Sequence, residues 1–131
     1  MKQLSIFLQN ESGTLTSVLD ILADAGIQLY AVSIADTSDY GICRLICDKP
    51  DEALAILRNA GHAVSQSDVR AIIIGDTPGA AAETIRIFAK EHLSLAYLYT
   101  FLYENKPVLV FRTDDKEKAS DIILRHGLKS L

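Results

Sequence analysis

The chain has few basic residues, which argues against two classes of partner. Its 131 residues include 13 lysines and arginines against 17 aspartates and glutamates, giving a net charge of -4 and an isoelectric point near 5.3. Nucleic acids and anionic membranes both require a basic face. No apolar run approaches the roughly 18 residues of a membrane span, and the first residues lack the pattern of a secretory signal. We therefore expect a cytoplasmic protein that binds neither nucleic acid nor membranes.

Cysteine is equally scarce, with only Cys43 and Cys47. They lie four residues apart in a predicted strand, so about 13 Å separates them at about 3.3 Å per residue. This separation is too large for a disulfide bond. No further cysteine or histidine follows at metal-ligand spacing. We expect both thiols to be buried or half-buried apolar filler and the protein to bind no metal.

The chain also lacks a recognisable catalytic arrangement. Its histidines are scattered, and its paired aspartates come without a nucleophile or a base to orient. The histidines are His62, His92 and His126, and the aspartate pairs are Asp36 with Asp39 and Asp114 with Asp115. We expect no enzyme activity and no cofactor.

What the sequence does contain is one unit that occurs twice. Residues 8–15 read LQNESGTL and residues 74–81 read IGDTPGAA, which places Gly13 and Gly79 66 residues apart. Each stretch joins a strand-like run to a helical pattern. Free N–H groups at a helix start can hold a carboxylate or phosphate, and glycine permits close approach. The alternative is that each glycine only permits a tight turn.

The first copy has the predicted order βαββαβ. Alternation places Leu4, Ile6 and Leu8 on the buried face of the first strand, and Ser12 is the predicted N-cap of the first helix. The helix faces expected to be buried are Leu15, Val18, Leu19, Leu22 and Ala23, then Ala53, Ile56, Leu57 and Ala60. The predicted elements are strands over 2–9, 27–35, 40–47 and 62–66, and helices over 14–25 and from 48–51 to Gly61.

The second copy repeats this order at the same spacing, which indicates an internal duplication. Thr77 and Pro78 are predicted to begin its first helix, which buries Ala81, Ile85, Phe88 and Ala89. Its second helix buries Ala119, Ile122 and Ile123 and ends at Gly127, leaving room only for a short last strand. The predicted strands cover 71–74, 93–103 and 108–113. We divide the chain into units 1–67 and 68–131.

The strand over 93–103 is apolar on both faces. Its odd positions carry Tyr97, Tyr99, Phe101 and Tyr103, and its even positions carry Ala96, Leu98 and Leu102. Such a strand favours packing against a second sheet or subunit. We therefore expect a homodimer or a larger assembly.

The repeat resembles the ACT domain, the small amino-acid-sensing module, over essentially the whole chain and most closely in its free-standing tandem form. The residues that carry the resemblance are NESGTL at 10–15 with AGI at 25–27, and DTPG at 76–79 with YLYTF at 97–101. The resemblance implies an α+β fold of two ferredoxin-like βαββαβ units, each with an antiparallel sheet and its helices on one face. It also implies a regulatory, allosteric protein that binds a free amino acid between units and acts on a partner enzyme of amino-acid metabolism.

Carried over residue by residue, the implied ligand contacts lie in the two turns and at two strand starts. The turn residues are Asn10, Glu11, Ser12, Gly13, Thr14 and Leu15, and Asp76, Thr77, Pro78, Gly79 and Ala80. The opposing residues are Gln28, Leu29, Ser94 and Leu95. The first turn departs from the usual Pro-Gly with Ser12-Gly13, and the second helix has Ala80-Ala81 where leucine is common.

Three rival classes share parts of this pattern. An RNA-recognition motif has the same element order but stacks bases on aromatic side chains beside basic residues, whereas the corresponding strands here offer Phe7, Cys43 and Leu45. An acyl-phosphate hydrolase needs an arginine in the glycine loop, and neither loop has one. A module that only dimerises would differ from a sensor by gaining no stability from amino acids.

Overall fold

The computed structural model describes residues 1–9, 11, 13–36 and 40–131. The chain divides into two compact units, Lys2–Asp68 and Val69–Leu131, with Met1 belonging to the second. Met1 joins that unit because the Val69 N–H donates to its carbonyl at 2.9 Å, and its ammonium group donates to the Val69 carbonyl at 3.3 Å. The expected division fell one residue earlier, between 67 and 68.

The first unit contains one four-stranded antiparallel sheet and two helices. The sheet order is β2-β3-β1-β4, and Leu4 of β1 lies opposite Leu45 of β3. The elements are β1 (Lys2–Gln9), α1 (Thr14–Asp24), β2 (Leu29–Asp36), β3 (Tyr40–Cys47), α2 (Pro50–Asn59) and β4 (Val64–Asp68). The βαββαβ order expected from the sequence is confirmed.

The second unit repeats this topology with the order β6-β7-β5-β8. Its elements are β5 (Arg70–Ile73), α3 (Ala80–Lys90), β6 (Tyr97–Tyr103), β7 (Lys106–Arg112), α4 (Lys116–Arg125) and β8 (Lys129–Ser130). The ladder has the same register as in the first unit, since Phe7 pairs with Ile42 and Ile73 pairs with Val108. The last strand is as short as the sequence predicts.

Each unit has its own hydrophobic core between its sheet and its helices. In the first, Leu4, Ile6 and Leu8 of β1 pack with the α1 residues Val18 and Leu22. In the second, Phe88 and Phe111 lie with ring centroids 4.9 Å apart at the centre of the core. Cys43 and Cys47 are buried free thiols, as expected.

The helices bury narrower stripes than the periodicity predicts. Ala23, Ala60, Ala81 and Ala89 are exposed, so their predicted core positions are wrong, and α3 instead buries Thr84 with Phe88. The Thr84 hydroxyl donates to the Ala80 carbonyl at 3.3 Å, which satisfies it inside the core. Alanine periodicity is weak evidence for burial because so small a side chain gains little from leaving water.

Two predicted element starts are also corrected. Thr77 and Pro78 precede α3, whose N-cap is Gly79. Strand β6 begins at Tyr97 rather than at Leu93 because the Leu93 N–H still donates to the Phe88 carbonyl, at 2.9 Å, and so closes the end of α3. The predicted N-cap Ser12 lies outside the described residues, and the structure has Gly13 as the N-cap of α1.

Glycines with positive φ follow three of the four helices, at Gly26, Gly61 and Gly127, which confirms the predicted ends. A non-glycine occupies the fourth such position. His92 follows α3 with a φ of 57°, and it lies 66 residues after Gly26. The second repeat therefore keeps this turn with a residue that disfavours the left-handed region.

Strand β6 carries exposed apolar side chains at the edge of its sheet. Leu98 lies opposite Phe111 in the ladder and so shares the helix-side face, yet it is 44% exposed, and Leu102 is 68% exposed. On the other face, Tyr97, Tyr99, Phe101 and Tyr103 are half-buried. No residue of this strand is charged.

Candidate functional site

The two glycine turns have nearly the same geometry. Gly13 is the N-cap of α1 with φ 91°, and Gly79 is the N-cap of α3 with φ 90°. Both lie in the left-handed region, which glycine adopts without a steric penalty. Neither N-cap supplies a side chain to the first N–H groups of its helix. By contrast, the Asp115 carboxylate caps α4 by accepting from the Lys118 N–H at 3.1 Å.

Within the first turn, two hydrogen bonds define which N–H groups are used. The Thr14 N–H donates to the Glu11 carbonyl at 3.4 Å, and the Ser17 N–H donates to the Gly13 carbonyl at 2.9 Å, which is the first bond of the helix. The N–H groups of Leu15 and Thr16 fall between them, before the intrahelical pattern starts. They point along the helix axis toward the turn, where the positive end of the helix dipole favours an anion.

The second turn repeats this arrangement. The Ala80 N–H donates to the Thr77 carbonyl at 3.2 Å, and the Glu83 N–H donates to the Gly79 carbonyl at 2.9 Å. The N–H groups of Ala81 and Ala82 occupy the equivalent positions. Each unit thus presents two adjacent backbone donors at a helix start.

An open cavity adjoins each turn. The first has a volume of about 370 Å³, and its lining residues are Phe7, Leu8, Gln9, Thr14, Tyr40, Gly61, His62 and Ala63. The second has a volume of about 460 Å³ and is lined by residues 74–82 and Pro107. Both volumes fall in the range of small-molecule sites.

The opposing residues predicted from the resemblance do not lie near the turns of their own unit. Gln28 precedes β2, and its N–H donates to the Asp48 carboxylate at 3.0 Å, while Leu29 lies opposite Cys47. Gln9, the last residue of β1, pairs with Tyr40, the first residue of β3, whereas Leu29 pairs with the last residue of β3. Gly13, which follows β1, therefore lies at the opposite end of the sheet from Leu29.

The same holds in the second unit. The Ser94 carbonyl accepts from the buried Thr113 hydroxyl at 2.8 Å, and Ser94 and Leu95 line a separate cavity of about 260 Å³ with Asp114 and Asp115. Asp76 and its neighbours line a different one. Within a unit, the opposing set therefore lies apart from the described turn residues.

Comparison with known proteins identifies this architecture. A sequence model described as an ACT domain pair matches residues 1–131. The chain belongs to the ACT domain pair family. No curated protein matches the chain at a significant level of sequence similarity.

Solved structures agree with that assignment. Protein BT0572 from Bacteroides thetaiotaomicron superposes with a TM-score of 0.91 and 36% identity over 99% of this chain and 90% of that one. The ligand-free regulatory subunit of aspartate kinase from Thermus thermophilus has a TM-score of 0.68 and 18% identity over 95% and 91% of the two chains. The same subunit from Thermus flavus has a TM-score of 0.61 at 18% identity, over 95% and 90%. The two Thermus structures show the fold alone.

Sequence reasoning missed three residues that line the first ACT cavity. Phe7, Tyr40 and His62 all contribute to its wall, yet none belongs to the set implied by the resemblance. The alternation of β1 does place Phe7 on the outward face, where a large aromatic side chain is unexpected. Tyr40 and His62 carry no such signal, since only strand pairing brings them to the same end of the unit.

The main charge cluster of the described residues lies away from the glycine turn of its own unit, at the C-terminal ends of α3 and α4. Arg125 donates to both Glu91 carboxylate oxygens, at 3.0 and 2.9 Å, and the His126 ring lies 3.2 Å from one of them. The Arg125 hydrogen bonds, with that of His126, lower the pKa of Glu91 to about 2. This cluster ties two helices of the second ACT unit together.

The part of the chain that the structure describes contains neither a candidate metal site nor a candidate membrane-spanning helix. No group of three or more histidine, cysteine, aspartate or glutamate residues there could hold a metal ion. No helix there is both long and apolar enough to cross a membrane.

Proposed function

We propose that this ACT domain pair is a regulatory protein that binds a free amino acid at its glycine turns. The observation that carries the proposal is the repetition, in both units, of two adjacent backbone donors at a glycine-capped helix start beside a cavity of about 370 or 460 Å³. The second cavity is lined by Ala81 and Ala82, which carry the donors, and the first is lined by Thr14, the residue before them.

The chemistry of an amino acid matches each part of the turn. Its α-carboxylate suits the N–H pair and the positive end of the helix dipole. Its α-ammonium suits the Asp76 carboxylate in the second turn, and the Asn10 amide oxygen in the first. Asn10 and Ser12 lie outside the described residues and enter the site as proposals from the sequence. The proposed contacts are otherwise those implied by the resemblance, from Glu11 to Leu15 and from Asp76 to Ala80.

A second copy of the chain supplies the opposing residues in this proposal. Gln28 and Leu29, like Ser94 and Leu95, lie at the far end of their own sheets, so another unit presents them in this proposal, and we assign that unit to a second copy of the chain. The exposed apolar edge of β6 supports self-association, since an uncharged edge strand with exposed leucines favours pairing with another chain. We therefore propose a homodimer or larger assembly, and light scattering that showed a monomer at micromolar concentration would contradict it.

Regulation through a partner is the proposed output. We propose that the protein is cytoplasmic, has no catalytic activity of its own and acts on an enzyme of amino-acid metabolism when its ligand binds. A hydrolytic activity toward acyl phosphates or esters that disappeared on mutating a turn residue would contradict this part of the proposal.

The first experiment is a thermal-shift screen over all the amino acids. A ligand at 100 times its dissociation constant adds about 2.7 kcal/mol to the free energy of unfolding, so binding raises the melting temperature measurably. Isothermal titration with the best ligand then compares Gly13→Val, Gly79→Val and Ser12→Ala. We expect the valine variants to lose binding more completely than Ser12→Ala, because valine blocks approach to backbone donors and alanine removes at most a cap of about 1 kcal/mol.

Gly26→Val and Gly127→Val are matched controls for backbone strain. Both glycines have positive φ and open space where a Cβ would be added, as Gly13 and Gly79 do. They therefore place a valine at positive φ outside the turns, with φ 72° at Gly26 and 61° at Gly127, and we expect them to keep ligand affinity. Unchanged affinity in both Gly13→Val and Gly79→Val would mean that the turns are structural.

A second candidate function is a ligand-free dimerisation or interaction module that regulates a partner enzyme. The observation that favours it is the exposed edge of β6, with Leu102 68% exposed. It predicts stable dimers whose melting temperature no amino acid changes. The thermal-shift screen and light scattering together distinguish it from the sensor.

A further inference from the structure

The two glycine turns have different walls. Phe7 and Tyr40 in the first cavity are 49% and 43% exposed, with ring centroids 5.8 Å apart and planes inclined by 55°. This tilted arrangement is one that aromatic rings favour. Both rings lie on the sheet face away from the helices, and Thr14, the first residue of α1, lines the same cavity. They form the aromatic wall of that cavity.

Strand pairing holds this wall in place. Phe7 lies opposite Ile42, so Tyr40, two residues before Ile42, is its diagonal neighbour across the ladder. The Phe7 N–H donates to the Ala63 carbonyl at 3.0 Å, which fixes β1 to the chain entering β4. Gly61 and Ala63 line the same cavity, and their small size leaves its volume open.

The described residues that line the first cavity include one histidine and no acidic side chain. Among the described residues that line the first cavity there is no aspartate, glutamate, lysine or arginine, and His62 is the one titratable base. A ligand with a charged side chain would lose hydration there without gaining a counter-ion from these residues. An apolar, flat side chain would bury its surface against the two rings.

The second unit lacks this wall at equivalent positions. Sixty-six residues after Phe7 and Tyr40 the chain has Ile73 and Lys106, and the register confirms the equivalence because Ile73 pairs with Val108 as Phe7 pairs with Ile42. The described lining of the second cavity contains the Asp76 carboxylate and no aromatic residue. The repeat keeps the turn and changes the wall.

We infer that the first turn is specific for an amino acid with an aromatic side chain, whose ring packs on Phe7 and Tyr40 in the cavity that Thr14, the first residue of α1, also lines. This inference rests on the proposed function and adds the ligand class and the site that takes it. The second turn does not share the specificity, so one aromatic amino acid binds per chain.

Free tryptophan is the probe that tests it. The chain contains no tryptophan, so ligand fluorescence excited at the red edge of its absorption reports binding without protein background. Phenylalanine and tyrosine are then titrated as competitors beside leucine, lysine and aspartate. We expect the aromatic competitors to displace the probe at least tenfold more effectively than the others, at one site per chain.

The double variant Phe7→Ile with Tyr40→Lys gives the first wall the residues of the second. We expect its tryptophan affinity to fall by about tenfold or more, since it loses both the aromatic contact and the buried area. Phe7→Tyr keeps a ring and is expected to retain binding. Leu124→Ala removes an apolar side chain that is 81% exposed on α4, and it is the control for loss of exposed apolar surface elsewhere. Circular dichroism and urea midpoints check that each variant is folded.

The outcomes separate this inference from the proposed function. If no amino acid binds in the thermal-shift screen, the proposed function is wrong and this inference with it. If amino acids bind but aromatic ones have no advantage, or the double variant binds tryptophan unchanged, only the assignment to an aromatic ligand at the first turn is wrong.

Discussion

Replacing His92 by glycine is expected to stabilise the protein. His92 occupies the left-handed region after α3 with φ 57°, which costs an L-residue about 1–2 kcal/mol. Glycine removes that cost but loses about 0.5–1 kcal/mol more in conformational entropy on folding. The expected net gain therefore lies between about 0 and 1.5 kcal/mol and is centred at about 0.75 kcal/mol.

The contacts at this position are retained by glycine because they are made by the backbone. The His92 N–H donates to the Ala89 carbonyl at 3.1 Å, and the His92 carbonyl accepts from the Lys118 ammonium group at 3.2 Å. The imidazole is exposed, so its removal leaves no cavity. Strain relief is thus the main effect of the substitution.

Urea denaturation of wild type and His92→Gly gives the difference in unfolding free energy, provided that the slope with denaturant is unchanged. The melting temperature is expected to rise by about 2–4 °C. Gly26→His makes the reverse change in the first unit, where an added Cβ meets nothing within 4 Å, and it is expected to destabilise by a similar amount. A His92→Gly protein less stable than wild type, or a neutral Gly26→His, would refute the reasoning.

The remaining predictions concern charge, thiol and core. Hydrogen bonds, mainly from Arg125, lower the pKa of Glu91 from 4.5 to about 2. The ionised carboxylate therefore stabilises the folded protein above about pH 4.5, and this stabilisation is lost as the pH falls toward 2. Stability curves of wild type and Glu91→Gln are therefore expected to converge below about pH 4.5, and a constant difference would contradict this. Burial raises the pKa of Cys43 to about 11, so we expect no thiol labelling of the native protein at neutral pH, and rapid labelling would be inconsistent with this. Phe88→Ala removes a buried ring beside Phe111 and is expected to cost about 3–5 kcal/mol, which urea denaturation checks; a loss below 1 kcal/mol would show that the core collapses around the gap.

The sequence by itself determined the repeat, the order of the elements and the turns between them. These features depend on short-range physics: alternation along β1, apolar periodicity along the helices, and glycine at positions that need positive φ. Leu4, Ile6 and Leu8 are buried as their alternation predicts, and Gly26, Gly61 and Gly127 follow their helices. Each signal lies within a few residues of the structure it specifies.

Only the tertiary structure decided which residues meet at the candidate site. Phe7 and Tyr40 are 33 positions apart and become neighbours through the register of β1 on β3, which no local pattern reports. The same pairing puts Gln28 and Leu29 at the end of the sheet away from Gly13. Gln3 is fully buried although it lies on the face of β1 opposite Leu4, Ile6 and Leu8, and Ala81 is exposed on a face assigned to the core. Burial and proximity depend on what the rest of the chain places beside a residue, because packing is non-local.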